Sequence, residues 1–144
     1  MWIPRFNLLR QCFNLFFDKS KAAFRAGIAQ SDQWDEINRG TYSIAMGRNT
    51  IASGYHATAF GLSTQSKAWY STAMGQGTIA HSRAETVLGS YNTTYTPAGG
   101  TRDWEASDRL FVIGNGIGSH SSSRSEQQHL SGAHRLTFQL LPNP

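Results

Sequence analysis

The chain is short of several things that ordinary domains have. Of its 144 residues, 39% are apolar and 15% charged, against about 45–50% and about 25% in an average globular domain. No apolar run approaches the roughly 20 residues that a membrane-spanning helix needs. The 14 glycines, with strong helix formers sparse beside them, disfavour a helical bundle. A single cysteine, Cys12, excludes an internal disulfide framework and any cysteine-rich zinc site. The net charge of +4 comes from 13 Lys/Arg against 9 Asp/Glu. Six basic and four acidic residues lie in 1–39, three and one in 40–95, and four and four in 96–144. The basic surplus is spread too thinly to make a stripe, so nucleic acid is not indicated as a partner.

Gly, Ala, Ser and Thr fill the deficit, and they recur with a period. In blocks of fourteen, residues 40–95 read GTYSIAMGRNTIAS, GYHATAFGLSTQSK, AWYSTAMGQGTIAH and SRAETVLGSYNTTY, without gaps. One column is glycine throughout: Gly47, Gly61, Gly75 and Gly89. It is preceded by a large apolar column (Met46, Phe60, Met74, Leu88) and a small one (Ala45, Ala59, Ala73, Val87). Three residues beyond each glycine stand Thr50, Thr64, Thr78 and Asn92. Helical-hairpin repeats need about 33–47 residues, so this period is too short for them. It suits two short strands and two tight turns, with each glycine where the chain must bend. The fold class expected is all-β: a parallel solenoid whose coils stack about 4.8 Å apart, so that four coils make a rod roughly 19 Å long.

Alternation separates the faces of each strand. In the first strand, Met46, Phe60, Met74 and Leu88 share a face with Ile44, Thr58, Thr72 and Thr86; the alanine column shares the other with Ser43, Ala57, Ser71 and Glu85. Both faces are mostly uncharged, as in a strand covered on two sides. In the second strand, Ser53, Lys67, His81 and Tyr95 form a variable polar column, read as the solvent face. Each coil is expected to put one large apolar residue and several small ones into a thin core. That is too little to offset the ordering entropy of an isolated rod, so lateral burial is expected from another chain.

The strings YSIAMGRNTIASG and YSTAMGQGTIA, followed by ETVLGSYNT, YTP and DRLFVIGNG, resemble the head repeats of YadA-like trimeric autotransporter adhesins and the end of such arrays. Ala23 to Gly27 (AFRAG) with Gln33, Trp34 and Asp35 resembles the segment that precedes them. The resemblance covers roughly residues 22–125 and is specific over 40–118. It implies a left-handed parallel β-roll, a homotrimer about one axis, and an adhesive head on the cell surface beyond the outer membrane, with host, matrix protein or glycan as partner. It implies no catalysis and no cofactor. The chain departs from the family in showing no cleavable signal, trimeric stalk or anchor barrel, and is expected to be a fragment whose tail beyond about Ser125 is unrelated.

The organisation expected is an amphipathic segment over 1–21, a lead-in over 22–39, the roll over 40–118 with an insertion loop at 92–109, and a flexible or unrelated tail over 119–144. Trp2, Phe6, Leu9, Phe13 and Phe16 recur at spacings of 4, 3, 4 and 3, which predicts a short helix packed on the end of the roll. The other readings of that segment are a poorly ordered extension, a coiled-coil start and an interfacial membrane helix. Gly89 and Gly114 are 25 residues apart, one coil plus an insertion of eleven, so LFVIGNG is expected to resume the strand. Trp104 is expected to cap the core there, with ligand binding as the lesser reading.

Chemical motifs are weak. GNGIG at 114–118 lacks the spacing and the following helix that a phosphate loop requires. The five histidines do not share metal-ligand spacing. Asp103, Glu105 and Asp108 read as a solvated acidic loop rather than a calcium site, and Glu85 as an ion-pair partner of Arg83. No catalytic or metal residue is assigned. The outward residues read as open to a partner are Tyr55, Lys67, Trp69, His81, Arg83 and Trp104; the other reading of Tyr55 and Trp69 is that they lean on adjacent coils and shield the rod. Two other roles share the architecture: a non-binding spacer in a bacterial or phage fibre, and a β-helix acyltransferase, whose period of six the columns here do not show.

Overall fold

Fourteen-residue spacing becomes a ladder of rungs. The structure, a computed structural model, describes residues 13–118 and the backbone of residues 128 and 129. Its strands are Asn14–Asp18 (β1), Ala23–Ile28 (β2), Ile44–Arg48 (β3), Ile51–Ala52 (β4), Thr58–Leu62 (β5), Gln65–Ser66 (β6), Thr72–Gln76 (β7), Ile79–Ala80 (β8), Thr86–Ser90 (β9), Phe111–Asn115 (β10) and Gln128–His129 (β11). The five-residue strands form a long sheet in the order β1-β2-β3-β5-β7-β9-β10-β11, and β4-β6-β8 form a short one. From β2 to β10 every neighbour in the long sheet is parallel, while β1 and β11 close its ends antiparallel. This is the parallel β-roll that the period implies, and it is nearly free of helix.

The glycines stack in one line, Gly27–Gly47–Gly61–Gly75–Gly89–Gly114, each the register partner of the next. Strand β10 resumes the ladder after the insertion, with Gly114 opposite Gly89. Gly47, Gly61 and Gly75 all sit at φ +117°. A Cβ on any of them runs into the backbone carbonyl of the next glycine in the line. The column is therefore required twice, by conformation and by the close approach of adjacent coils.

The inside of the roll differs from expectation. Ala45, Ala52, Ala57, Ala59, Ala73, Ala80, Val87 and Val112 are buried, with Ser43, Ser66, Ser71, Ser82 and the threonine column Thr50, Thr64 and Thr78 among them. Met46, Phe60, Met74 and Leu88 lie instead on the outer face of the long sheet, where Met74 is 38% exposed. Between the middle coils the two sheets, joined by tight turns, enclose small side chains, and larger ones enter only toward the ends, as Arg25 and Glu85 do. The core expectation for the large column is thus corrected: that column faces outward.

The ends are sealed by side chains standing in for missing rungs. At the first coil, the Trp34 indole Nε1 donates to the Thr50 carbonyl at 3.0 Å. Arg25 replaces an alanine in the interior column and is wholly buried. Its guanidinium donates to the carbonyls of Phe24, Ser43 and Ala52 and to Ser43 Oγ at 2.8–3.1 Å. Burial, and next the positive charge of Arg39, pull its pKa down to about 10, so it stays charged at neutral pH. At the last coil, Asn92 Oδ1 accepts from the Ile79 amide and its Nδ2 donates to the Ile79 carbonyl, at 2.8 and 2.9 Å, where a further short strand would otherwise pair.

Two further expectations change. Asn14–Asp18 is a strand paired with β2, not part of a helix; residues 1–12 lie outside the described residues, as does the tail over 119–144 apart from the backbone of 128 and 129. Trp104 caps nothing: it is 61% exposed on the insertion loop.

Candidate functional site

The turn before β3, β5, β7 and β9 repeats with the coils, and its third residue has positive φ in all four: Tyr42 (58°), His56 (55°), Tyr70 (60°) and Ala84 (58°). Left-handed backbone is unfavourable for such residues by roughly 1–2 kcal/mol each. Stacking compensates, because each of these amides donates to a carbonyl of the preceding coil: Tyr42 to Lys21, His56 to Thr41, Tyr70 to Tyr55 and Ala84 to Trp69, at 2.7–2.9 Å. The same turn places the preceding residue, Tyr55, Trp69 or Arg83, beside its neighbour's ring.

An aromatic edge results. Tyr42, His56 and Tyr70 stack along the rod, with centroids 4.8 and 5.5 Å apart and planes tilted by 20° and 12°. Tyr55 meets Tyr42 edge-on at 5.5 Å and leans on Trp69 at 5.4 Å. Two arginines finish the edge: Arg83 lies over the Tyr70 ring at 5.2 Å, and Arg102 from the insertion loop over Trp69 at 5.4 Å. The loop is fastened there by the Trp69 amide, which donates to the Thr101 carbonyl at 2.9 Å, and by Arg83 Nη1, which donates to the Arg102 carbonyl at 3.1 Å.

Of the residues singled out from the sequence, Tyr55, Trp69 and Arg83 come together here. Lys67 and His81 do not; they stand on the short-sheet side, Lys67 exposed and His81 half-buried against Tyr95 with centroids 5.8 Å apart. Burial lowers the His81 pKa, with Lys67 and Arg109 pushing the same way, so the imidazole is neutral at neutral pH. Sequence reasoning missed Tyr42, His56, Tyr70 and Arg102. The first three were visible as a column one residue beyond Tyr55 and Trp69, but Tyr and His are not the residues that announce a left-handed turn.

Glu85 does not pair with Arg83. Its side chain is buried inside the last coil, where Oε2 accepts from the amides of His81 and Ser82 at 2.6 and 2.9 Å. Burial raises its pKa against the lowering effect of those donors. The acidic loop is structural as well: the Asp108 carboxylate accepts from the amides of Ala98 and Gly99 at 2.7 and 3.0 Å. Among the described residues no group of His, Cys, Asp or Glu is placed to hold a metal ion, and no helix is long and apolar enough to cross a membrane.

Stacked coils in register, a small-residue core and an outward apolar sheet define a β-roll repeat protein. Residues 39–64 match the YadA head domain repeat in two copies, which supports a YadA-like head-repeat family for this stretch, and the later blocks continue the same columns. That family is one of structural adhesin domains exposed at the cell surface, not of enzymes. No curated protein and no solved structure gives a significant match to the chain.

Proposed function

We propose that the chain is the head segment of a homotrimeric surface adhesin and attaches cells to host, matrix or other surfaces. The observation that carries this reading is the outer face of the long sheet. Leu15, Phe17, Ile44, Leu62, Met74, Phe111 and Ile113 are all at least 37% exposed, and the long-sheet strands β1, β2, β3, β5, β7, β9 and β10 join them into one continuous face. A patch of that kind marks an association surface, and three copies about one axis cover it. The edges and the short-sheet side then remain outside, available to a partner.

The test is attachment of the purified protein to immobilised matrix proteins and glycans, with light scattering alongside. Replacing Tyr55, Lys67, Trp69 and Arg83 together by Ser is expected to abolish attachment and leave the trimer intact; Lys67→Ser/Arg83→Ser serves if the larger change unfolds the edge. Trimers that attach as well as the parent refute the assigned surface, and a folded monomer at micromolar concentration refutes the assembly. One observation favours the spacer reading: the rings of the edge spend their faces on one another. A trimer that attaches to nothing is that outcome.

A further inference from the structure

The aromatic edge holds two guanidinium groups that no carboxylate among the described residues pairs with. Among the described residues the ion pair present joins Arg39 to Asp18 at 2.6 Å; neither Arg83 nor Arg102 has a carboxylate partner. Both are nevertheless positioned. Arg83 lies over Tyr70 and Arg102 over Trp69, on rings whose centroids are 6.4 Å apart. Arg83 Nη1 is bonded to the Arg102 carbonyl, and the Trp69 amide holds the loop through Thr101. Stacking takes one face of each guanidinium and leaves donors along its rim. Fixing the plane in advance removes much of the entropy that a long side chain loses on binding.

The rings below offer little to a neutral sugar. Tyr42, His56 and Tyr70 stack on one another, and Tyr70 and Trp69 carry the arginines, so the ring faces a sugar would cover are largely occupied. The donors of Arg83 and Arg102 are cationic forks, which match the planar or trigonal oxygens of carboxylate and sulfate. From this we infer that the Arg83–Arg102 edge is a binding site for the anionic groups of a polysaccharide. The inference rests on the adhesin reading above and names the ligand class for its exposed edge. Repetition in a trimer multiplies a weak single contact through avidity.

The probes are a heparin oligosaccharide, hyaluronan and neutral dextran, measured by surface plasmon resonance at fixed salt against the parent protein. The variants are R83Q/R102Q and a charge-matched control, K19Q/R48Q, whose exposed cations lie elsewhere in the chain. The parent binds heparin, hyaluronan or both, and not dextran; the hyaluronan arm separates carboxylate from sulfate as the group recognised. R83Q/R102Q weakens binding by about tenfold or more, as expected for lost charge-assisted hydrogen bonds, while the control stays within about twofold. Equal loss in both double variants, no loss in either, or no binding of either polyanion by the parent overturns the inference. Light scattering on the same samples keeps the two readings apart: a monomeric parent refutes the assembly, whereas an intact trimer without this pattern refutes only the anion site.

Discussion

Gly61 and Gly100 both have positive φ, yet they are required for different reasons. At Gly61, φ is +117° and an added Cβ collides with the Gly75 carbonyl; at Gly100, φ is +64° and nothing lies within 4 Å. Gly61→Ala is expected to destabilise the roll by more than about 3 kcal/mol, because backbone strain and a backbone collision act together. Gly100→Ala is expected to cost about 1 kcal/mol, the conformational term alone. Urea unfolding of the two variants tests the difference, and equal losses contradict the role of close coil contact. Glu85 makes a second case. Its folded-state pKa is raised above 4.5, chiefly by burial. A raised carboxyl pKa gives stability that is fully present below about pH 4.5 and lost as pH rises through the raised value. Compared with Glu85→Gln, the parent is therefore expected to lose stability from that pH upward and then level off. A difference independent of pH between 3 and 8 would contradict the buried, poorly solvated carboxyl.

The tight turns at both edges share one device. On the edge opposite the aromatics, Asn49, Ser63, Gly77 and Tyr91 also have positive φ, from 42° to 61°. Each amide there donates to the coil before it: to Ile28, Arg48, Leu62 and Gln76, at 2.7–2.9 Å. Ser63 is the exposed member whose side chain tolerates this backbone least well relative to Asn or Gly. Ser63→Asn is expected to stabilise the roll by about 0.5 kcal/mol, read as a small rise in thermal midpoint; an unchanged or lowered midpoint contradicts it. The first strand shows how an element can be misread. Phe6, Leu9, Phe13 and Phe16 fit a helical stripe, but Phe13, Leu15 and Phe17 fit an alternation of two equally well. The free edge of β2 settles the matter over 14–18 by offering a row of backbone partners, and it leaves those three side chains at 58–70% exposure on the outer sheet face. A local period cannot register a sheet edge that lies farther along the chain.

At the scale of the whole molecule, a roll lined with Ala, Ser and Thr buries little apolar area per residue, while its larger side chains point away from it. Stability is thus expected to depend on assembly. The thermal midpoint should rise with protein concentration, as linkage requires when folding and association are coupled. Met74→Asp places a charge on the face to be buried, and burying an unpaired charge is expensive. The variant is expected to stay dissociated or to unfold at concentrations where the parent associates, measured by light scattering and circular dichroism. A Met74→Asp variant that associates as the parent does, or a parent whose midpoint is independent of concentration, contradicts the outward apolar face as the interface.

The period, the line of glycines, the pairing of each block with the next and the return of the ladder at Gly114 were all legible in the sequence. They depend on identical residues recurring at one interval, and a parallel stack sets like beside like. The tertiary structure alone decided which face of the long strand is inside. Alternation divides a strand into two faces without saying which is enclosed. The choice belongs to the narrow gap between two sheets joined by tight turns, which admits Ala45 and excludes Met46. The same closure put Arg25 and Glu85 among the alanines, with the coil ends' backbone carbonyls and amides as their partners. It also brought Arg102 onto Trp69 across 33 residues of chain, because a stacked loop returns to an earlier coil at a distance that no local pattern records.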